Sequence, residues 1–198
     1  ILWARSQCKH LIYSYLFNKA GHNVEHYIRK SSKKINITEL NVDMLDGRNN
    51  KKGDHYTDTY KVNTHTKDNY DFIFISMPAG NIESVIETLN SNNIKGTIIL
   101  CCGIWEDKKY LAKIMQGREY ILGYPVAGGN IVDTTLTCCV FDHFILEKKE
   151  NSKIDNYDKL VKLFESCNIK LETPYDMLEW IWLHMAINAG VVLSLIHI

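Results

Sequence analysis

No charge of one sign predominates in this sequence: Lys and Arg number 23 and Asp and Glu number 23 among 198 residues. A balanced chain has no broad cationic field, which argues against nucleic acid or an anionic membrane as partner. No stretch approaches the ~18 consecutive apolar residues that a membrane-spanning helix needs. No signal-peptide pattern opens the chain. The six cysteines show no CxxC spacing, and four form the adjacent pairs Cys101-Cys102 and Cys138-Cys139 inside apolar runs. Reduced core thiols of a cytosolic protein are therefore expected rather than disulfides or metal ligands. Internal repeats and low-complexity tracts are lacking. So is glycine in "ARSQCKH" (residues 4–10), which stands between an apolar run and a helix. A nucleotide-binding turn in that frame would have two or three.

What is present suits a buried core, since 45% of residues are hydrophobic. A strand is expected at 1–4, an amphipathic helix at 10–20 closed by Gly21, and a second strand at 23–28. The polar stretch 36–64 suits a surface loop and hairpin, with Asp46-Gly47 and Gly53-Asp54 as turns. "YDFIFISM" (70–77) reads as a central parallel strand, followed by a helix at 81–91, a strand at 96–102, a helix at 106–115 and a strand at 118–126. An antiparallel pair is expected within 130–147, then helices at 155–167 and 175–193. Strands alternating with helices predict an α/β fold with a Rossmann-like, doubly wound, mostly parallel sheet. The expected division is a dinucleotide-binding domain over 1–172 and the opening of a helical domain over 173–198. Ile1 in place of Met, and the closing "LSLIHI", which matches a translated sequencing adaptor, suggest a fragment with a non-native tail at 193–198.

Several pieces in order, "LIYSYLFNKAGHNVEHYIR", "LDGR", "YDFIFIS", "GYPVAGG" and "WLHMAINAG", resemble a divergent branch of the ketopantoate reductase family. The resemblance covers nearly the whole chain. It implies an NADP-binding Rossmann domain, a C-terminal helical domain, hydride transfer to a 2-keto acid carbonyl and a place in pantothenate biosynthesis. The family's three turn glycines fall on Arg5, Gln7 and His10. Those glycines make the tight turn, admit the pyrophosphate and let helix and strand pack closely. Two readings of their loss stay open: the loop has been abandoned, or these codons carry a frame slip. Arg5 and Lys9 add charge near the helix N-terminus, which itself favours a phosphate. Arg29, at the end of the second strand, favours the 2′-phosphate of NADP.

The family's lysine on the long helix matches Trp180, an intermediate asparagine matches His184, and a second asparagine matches Asn188. Spacings of four and eight put all three on one helix face. Trp cannot protonate an alkoxide, whereas His184 can, so His184 is the candidate acid and Asn188 the candidate orienting group. The family's lysine after the preceding strand appears as Met77-Pro78, and its Asn-Gly as Cys102-Gly103. Trp180, Trp182 and Met185 are expected in the core or a domain interface, and Gly128-Gly129 either at a turn or where backbone meets ligand. Asp54, His55, Asp58 and His65 read as a solvated hairpin, not a metal site. Two functions remain: an NADP-dependent reductase of a small keto acid, or a non-catalytic binding protein keeping a degenerate Rossmann frame. A fragment lacking the helical domain is expected to be inactive, to expose its last helix and to aggregate.

Overall fold

A computed structural model describes residues 1–4, 8–28, 37–77 and 81–196. Its strands are β1 (Leu2–Ala4), β2 (Glu25–Tyr27), β3 (Glu39–Asp46), β4 (Asp54–Lys61), β5 (Asn69–Ile75), β6 (Lys95–Leu100), β7 (Tyr120–Val132), β8 (Thr135–Leu146) and β9 (Lys170–Glu172). The helices are α1 (Cys8–Lys19), α2 (Ile82–Ser91), α3 (Lys108–Met115), α4 (Tyr157–Glu165) and α5 (Met177–Ile196). The sheet order is β2-β1-β5-β6-β7-β8-β3-β4, with β9 beside β8. Strands β2, β1, β5, β6 and β7 are parallel, whereas β7–β8 and β3–β4 are antiparallel. The fold is thus α/β, Rossmann-like and mostly parallel, as expected from the alternation of strands and helices.

Period-two alternation sorts the sheet's side chains into two cores. From β5, Phe72 and Phe74 enter the core shared with α1 and α4. Ile73 and Ile75 enter the core shared with α2, α3 and the start of α5. Helix α1 is where the expectation of amphipathicity fails. Leu11, Ile12, Tyr13, Tyr15, Leu16 and Phe17 are all buried, so the helix is enclosed on nearly every side. Its tyrosines meet strands far along the sheet: Tyr13 accepts a hydrogen bond from the Val126 amide, and Tyr15 donates to Asp58. The helix ends as the sequence demands. Gly21 takes a φ of 89°, His22 N–H donates to the Phe17 carbonyl and Gly21 N–H to that of Asn18. Together these make a Schellman cap.

Two segments differ from the sequence reading. The expected hairpin in 36–64 forms as β3–β4, but it does not stay on the surface, because β3 runs parallel to β8 and buries Leu40, Val42 and Met44. Its polar residues alternate with these, so the low mean polarity of a strand was hidden. Within β4, Asp58 binds Tyr15 and Lys19 and His55 binds Asp43, which makes these groups paired strand residues rather than loop residues. No metal-binding cluster of His, Cys, Asp or Glu occurs among the described residues. The second difference is in 130–147, which is not itself an antiparallel pair. Strand β7 continues to Val132 and β8 returns along its whole length. Gly129 lies inside that pair, opposite Cys138, and not at a turn. A Cβ there would come within 2.6 Å of the Thr137 carbonyl oxygen. A bulge between Pro125 and Ala127 breaks the ladder and leaves the Val126 amide to Tyr13.

Cys101, Cys102, Cys138, Cys139 and Cys167 form no disulfide among the described residues, and all but Cys139 are buried. No helix is long and apolar enough to cross a membrane among the described residues. Along α5, Leu183, Ile187 and Val191 are 62%, 56% and 52% exposed, the apolar face anticipated for this helix.

His26 gives a testable consequence of the packing. The imidazole is buried, 2.7 Å from the Tyr60 hydroxyl, and burial lowers its pKa to about 4 from 6.5. An unfolded chain binds this proton in the window between those values, so stability is full above pH 6.5 and falls as pH drops toward 4. The loss totals about 3 kcal/mol. An NMR titration of His26 in the folded protein should show a neutral ring until about pH 4, and denaturant midpoints should fall across the window. A ring titrating near 6.5 would contradict the burial argument.

Candidate functional site

The parallel strands end together: Ala4 pairs with Ile75, Ile75 with Leu100, and Leu100 with Leu122. This carboxyl edge is where open α/β sheets bind ligands. Helix α1 begins there, aiming the N–H groups of its first turn at the edge. Helix α5 closes the other side. Asp176 starts it by accepting from the Leu178 and Glu179 amides at 2.8 and 3.2 Å. Met177, Leu178 and Ile181 then anchor it in the second core.

The residues expected on one α5 stripe do share a face, and two of them meet the same partner. Trp180 and His184 stack nearly parallel at 4.9 Å, and both present faces to the edge of Tyr124 from β7, at 5.3 and 4.6 Å. Asn188 lies one turn farther on and is exposed. The Lys9 ammonium in the first turn of α1 also sits over the Tyr124 ring, 5.3 Å from its centroid. Burial pulls the His184 pKa below 6.5, and the charge of Lys9 adds to that. The Lys9 pKa is lowered by burial. No carboxylate pairs with Lys9 among the described residues.

The other predicted positions divide. Arg5, Gln7, Arg29 and Pro78 lie outside the described residues. His10 is buried and stacked on Trp3 at 5.2 Å, so two flat rings make the contact between helix and strand that a glycine would make by absence. Met77 and Cys102 are 3% and 1% exposed and belong to the second core. The Cys102 thiol donates to the Ile75 carbonyl, and burial pushes its pKa up to about 12, so it is no nucleophile at neutral pH. Gly103 faces α5: a Cβ there would lie 3.0 Å from the Met185 sulfur. Trp182 and Met185 pack against the second core, as expected of a helix docked on the sheet.

Sequence reasoning did not find the pairing of Lys9 with Tyr124. Lys9 was visible as a charge near the turn, but nothing local to "GYPV" marks Tyr124 as a site residue. The two are 115 positions apart, and only the way the sheet wraps α1 brings them together.

No family model matches the chain, and no curated protein matches it by sequence. Solved structures do match its fold. A 2-dehydropantoate 2-reductase from Methylococcus capsulatus superposes with a TM-score of 0.69 at 15% identity, over 98% of this chain and 64% of that one. The enzyme of the same name from Geobacter metallireducens GS-15 gives 0.61 at 15% identity, over 88% and 58%. D-mandelate dehydrogenase, solved with NADH and anilino(oxo)acetate, gives 0.62 at 12% identity, over 92% and 59%. The chain therefore spans about three fifths of the length of these enzymes, and over that span its fold is that of the ketopantoate reductases.

Proposed function

We propose that the chain is the nucleotide-binding part of an oxidoreductase of the ketopantoate reductase type, which reduces the carbonyl of a small 2-oxo acid with NADP as cofactor. The observation that carries this reading is the convergence of α1, Gly103 and α5 at the carboxyl edge, where Lys9 and His184 face one another across Tyr124. The described residues suit a dinucleotide in two respects. The first turn of α1 offers amides to phosphate, and no described carboxylate pairs with its Lys9. NADP rather than NAD rests on the family resemblance at Arg29, which follows β2 in sequence and lies outside the described residues.

When bound, the cofactor supplies the hydride. The chain's own residues do the rest. Helix α5 orients the substrate through Asn188 and holds the His184 ring flat on Trp180, facing the edge where the carbonyl oxygen gains charge. Protonated His184 gives that oxygen its proton and becomes neutral, and a proton from solvent restores the imidazolium.

A second reading, a binding protein that has kept the frame and lost catalysis, is favoured by one set of observations. The family's lysine is replaced by the stacked ring of Trp180, and two polar contacts by the core residues Met77 and Cys102. Titration of the full-length protein with NADPH, followed by nicotinamide fluorescence, separates the two. Saturable binding in the micromolar range is expected. Absence of binding at high micromolar concentration would sink the reductase reading.

A further inference from the structure

Helix α5 is seated at its start and exposed beyond its middle. Met177, Leu178 and Ile181 are buried, whereas residues 186–191 are exposed. What fixes the start therefore fixes where His184 stands, ~12 Å along the axis from Asp176. A tilt of about 5° at the start displaces His184 by about 1 Å. Charge holds that start as well as apolar burial. Asp176 uses Oδ1 to accept from the Leu178 and Glu179 amides, and its Oδ2 lies 3.9 Å from the Lys108 ammonium. The same ammonium, from the first turn of α3, lies 3.6 Å from Oε1 of Glu147. Glu147 is buried and fixed from two elements. Its Oε2 accepts from the Leu122 amide of β7 at 3.2 Å, and its carbonyl accepts from the Tyr157 hydroxyl at the start of α4. Burial pushes the Glu147 pKa up, and the Leu122 amide and Lys108 work against it. A carboxylate in that position needs a cation, and Lys108 supplies it.

We propose that Lys108 is a positioning residue: by bridging Glu147 and Asp176 it seats the start of α5 on the β7–β8 end of the sheet and so sets where His184 stands. Its effect on rate rests on the reductase reading, but the seating itself does not. Leu122, whose amide holds Glu147, is followed on the same strand by Tyr124, which meets the Trp180 and His184 rings. Strand β7 thus grips α5 twice, through Lys108 at the cap and through Tyr124 farther along. Ring contacts are satisfied over a range of offsets, so Tyr124 alone leaves the helix free to slide. An ammonium flanked by two carboxylates draws the cap to one point.

The test reads the His184 pKa by NMR in the full-length protein and, separately, hydride transfer from NADPH to a 2-oxo acid. Seated α5 keeps the ring partly buried and its pKa below 6.5. Lys108→Met should let the ring out and raise that pKa toward 6.5. The same variant should lower kcat about 10- to 100-fold, the cost of a misplacement of about 1 Å, with KM for NADPH changed less than about 2-fold. Lys108→Arg should keep both readouts near their parent values. Asp176→Asn separates seating from direct electrostatics, because asparagine still caps the helix but gives up the charge that Lys108 meets. If the bridge seats α5, this variant also raises the His184 pKa. If the charges act on the ring only through space, loss of a negative charge lowers it. Circular dichroism confirms that each variant is folded. A His184 pKa that stays put in Lys108→Met or Asp176→Asn, or falls in Asp176→Asn, would overturn the proposal even where the melting temperature drops. If the pKa moves as expected and no form transfers hydride, the reductase reading fails and the seating of α5 by Lys108 stands.

Discussion

Replacing His184 with Asn should lower kcat/KM for 2-oxo acid reduction about 100- to 10,000-fold, the usual range for removing a general acid. Asparagine keeps a polar group on α5 but has no proton to give, so KM should change little while kcat carries the loss. The pH profile is the sharper measurement. Burial, and then the charge of Lys9, hold the His184 pKa below 6.5, so the imidazolium form is the minority at neutral pH. Reduction needs that form. Its kcat/KM should therefore be highest in mild acid and fall as pH rises through the lowered pKa, and the reverse oxidation should show the opposite limb. Among the described residues, the groups bearing on this ring are Lys9 from α1, Tyr124 from β7 and Trp180 on its own helix, and of these Lys9 alone is charged. Lys9→Met should accordingly move the limb to higher pH. A profile unchanged in His184→Asn, measured by stopped-flow hydride transfer, would remove His184 from the mechanism.

The largest expected effect on stability lies far from the site. Asp46, at the end of β3, is 8% exposed and receives the Arg48 guanidinium on both oxygens, at 3.0 and 2.7 Å. Burial pushes the Asp46 pKa up, but the hydrogen bonds and charge of Arg48 outweigh it and hold the carboxylate ionised. The third arm of Arg48 donates to the Cys167 carbonyl just past α4, at 2.5 Å, and so caps that helix from another part of the chain. Arg48→Met should cost about 3–5 kcal/mol, because it leaves a buried carboxylate unpaired. For a chain of this length that is roughly a 10 °C fall in Tm. The double variant Asp46→Asn/Arg48→Met should regain part of the loss, since no charge remains buried. If calorimetry finds the double variant no better than the single one, the capping of α4 and not the ion pair carries the stability.

Arg48 also illustrates what could be read in advance. "LDGR" was legible as a family-like piece, yet its role joins β3 to a carbonyl 119 residues later. Elements whose evidence is local were legible. The cap at Gly21 follows from one residue's freedom to take a left-handed conformation, and β5 from an unbroken apolar run. Elements that depend on a distant partner were not. The β3–β4 hairpin followed from its turn residues, but its place in the sheet did not, because β8 supplies the ladder it pairs with. Helix α1 looked amphipathic because its tyrosines count as half polar. Their hydroxyls are in fact consumed by Val126 and Asp58, so the whole circumference is buried. At the site, the face shared by Trp180, His184 and Asn188 followed from helical spacing, while Lys9 and Tyr124 did not.

By itself, then, the sequence determined the α/β order of elements, the frame around the glycine-free turn and the stripe on α5. Each of these rests on periodicity or on the chemistry of neighbouring residues. Only the tertiary structure decided that Lys9 sits over Tyr124, that His10 replaces a glycine's closeness with a stacked ring, and that Met77 and Cys102 are core. The physical reason is the same throughout. The sheet wraps α1 and returns β7 beneath α5, and contacts across more than a hundred residues have no signature in any local window.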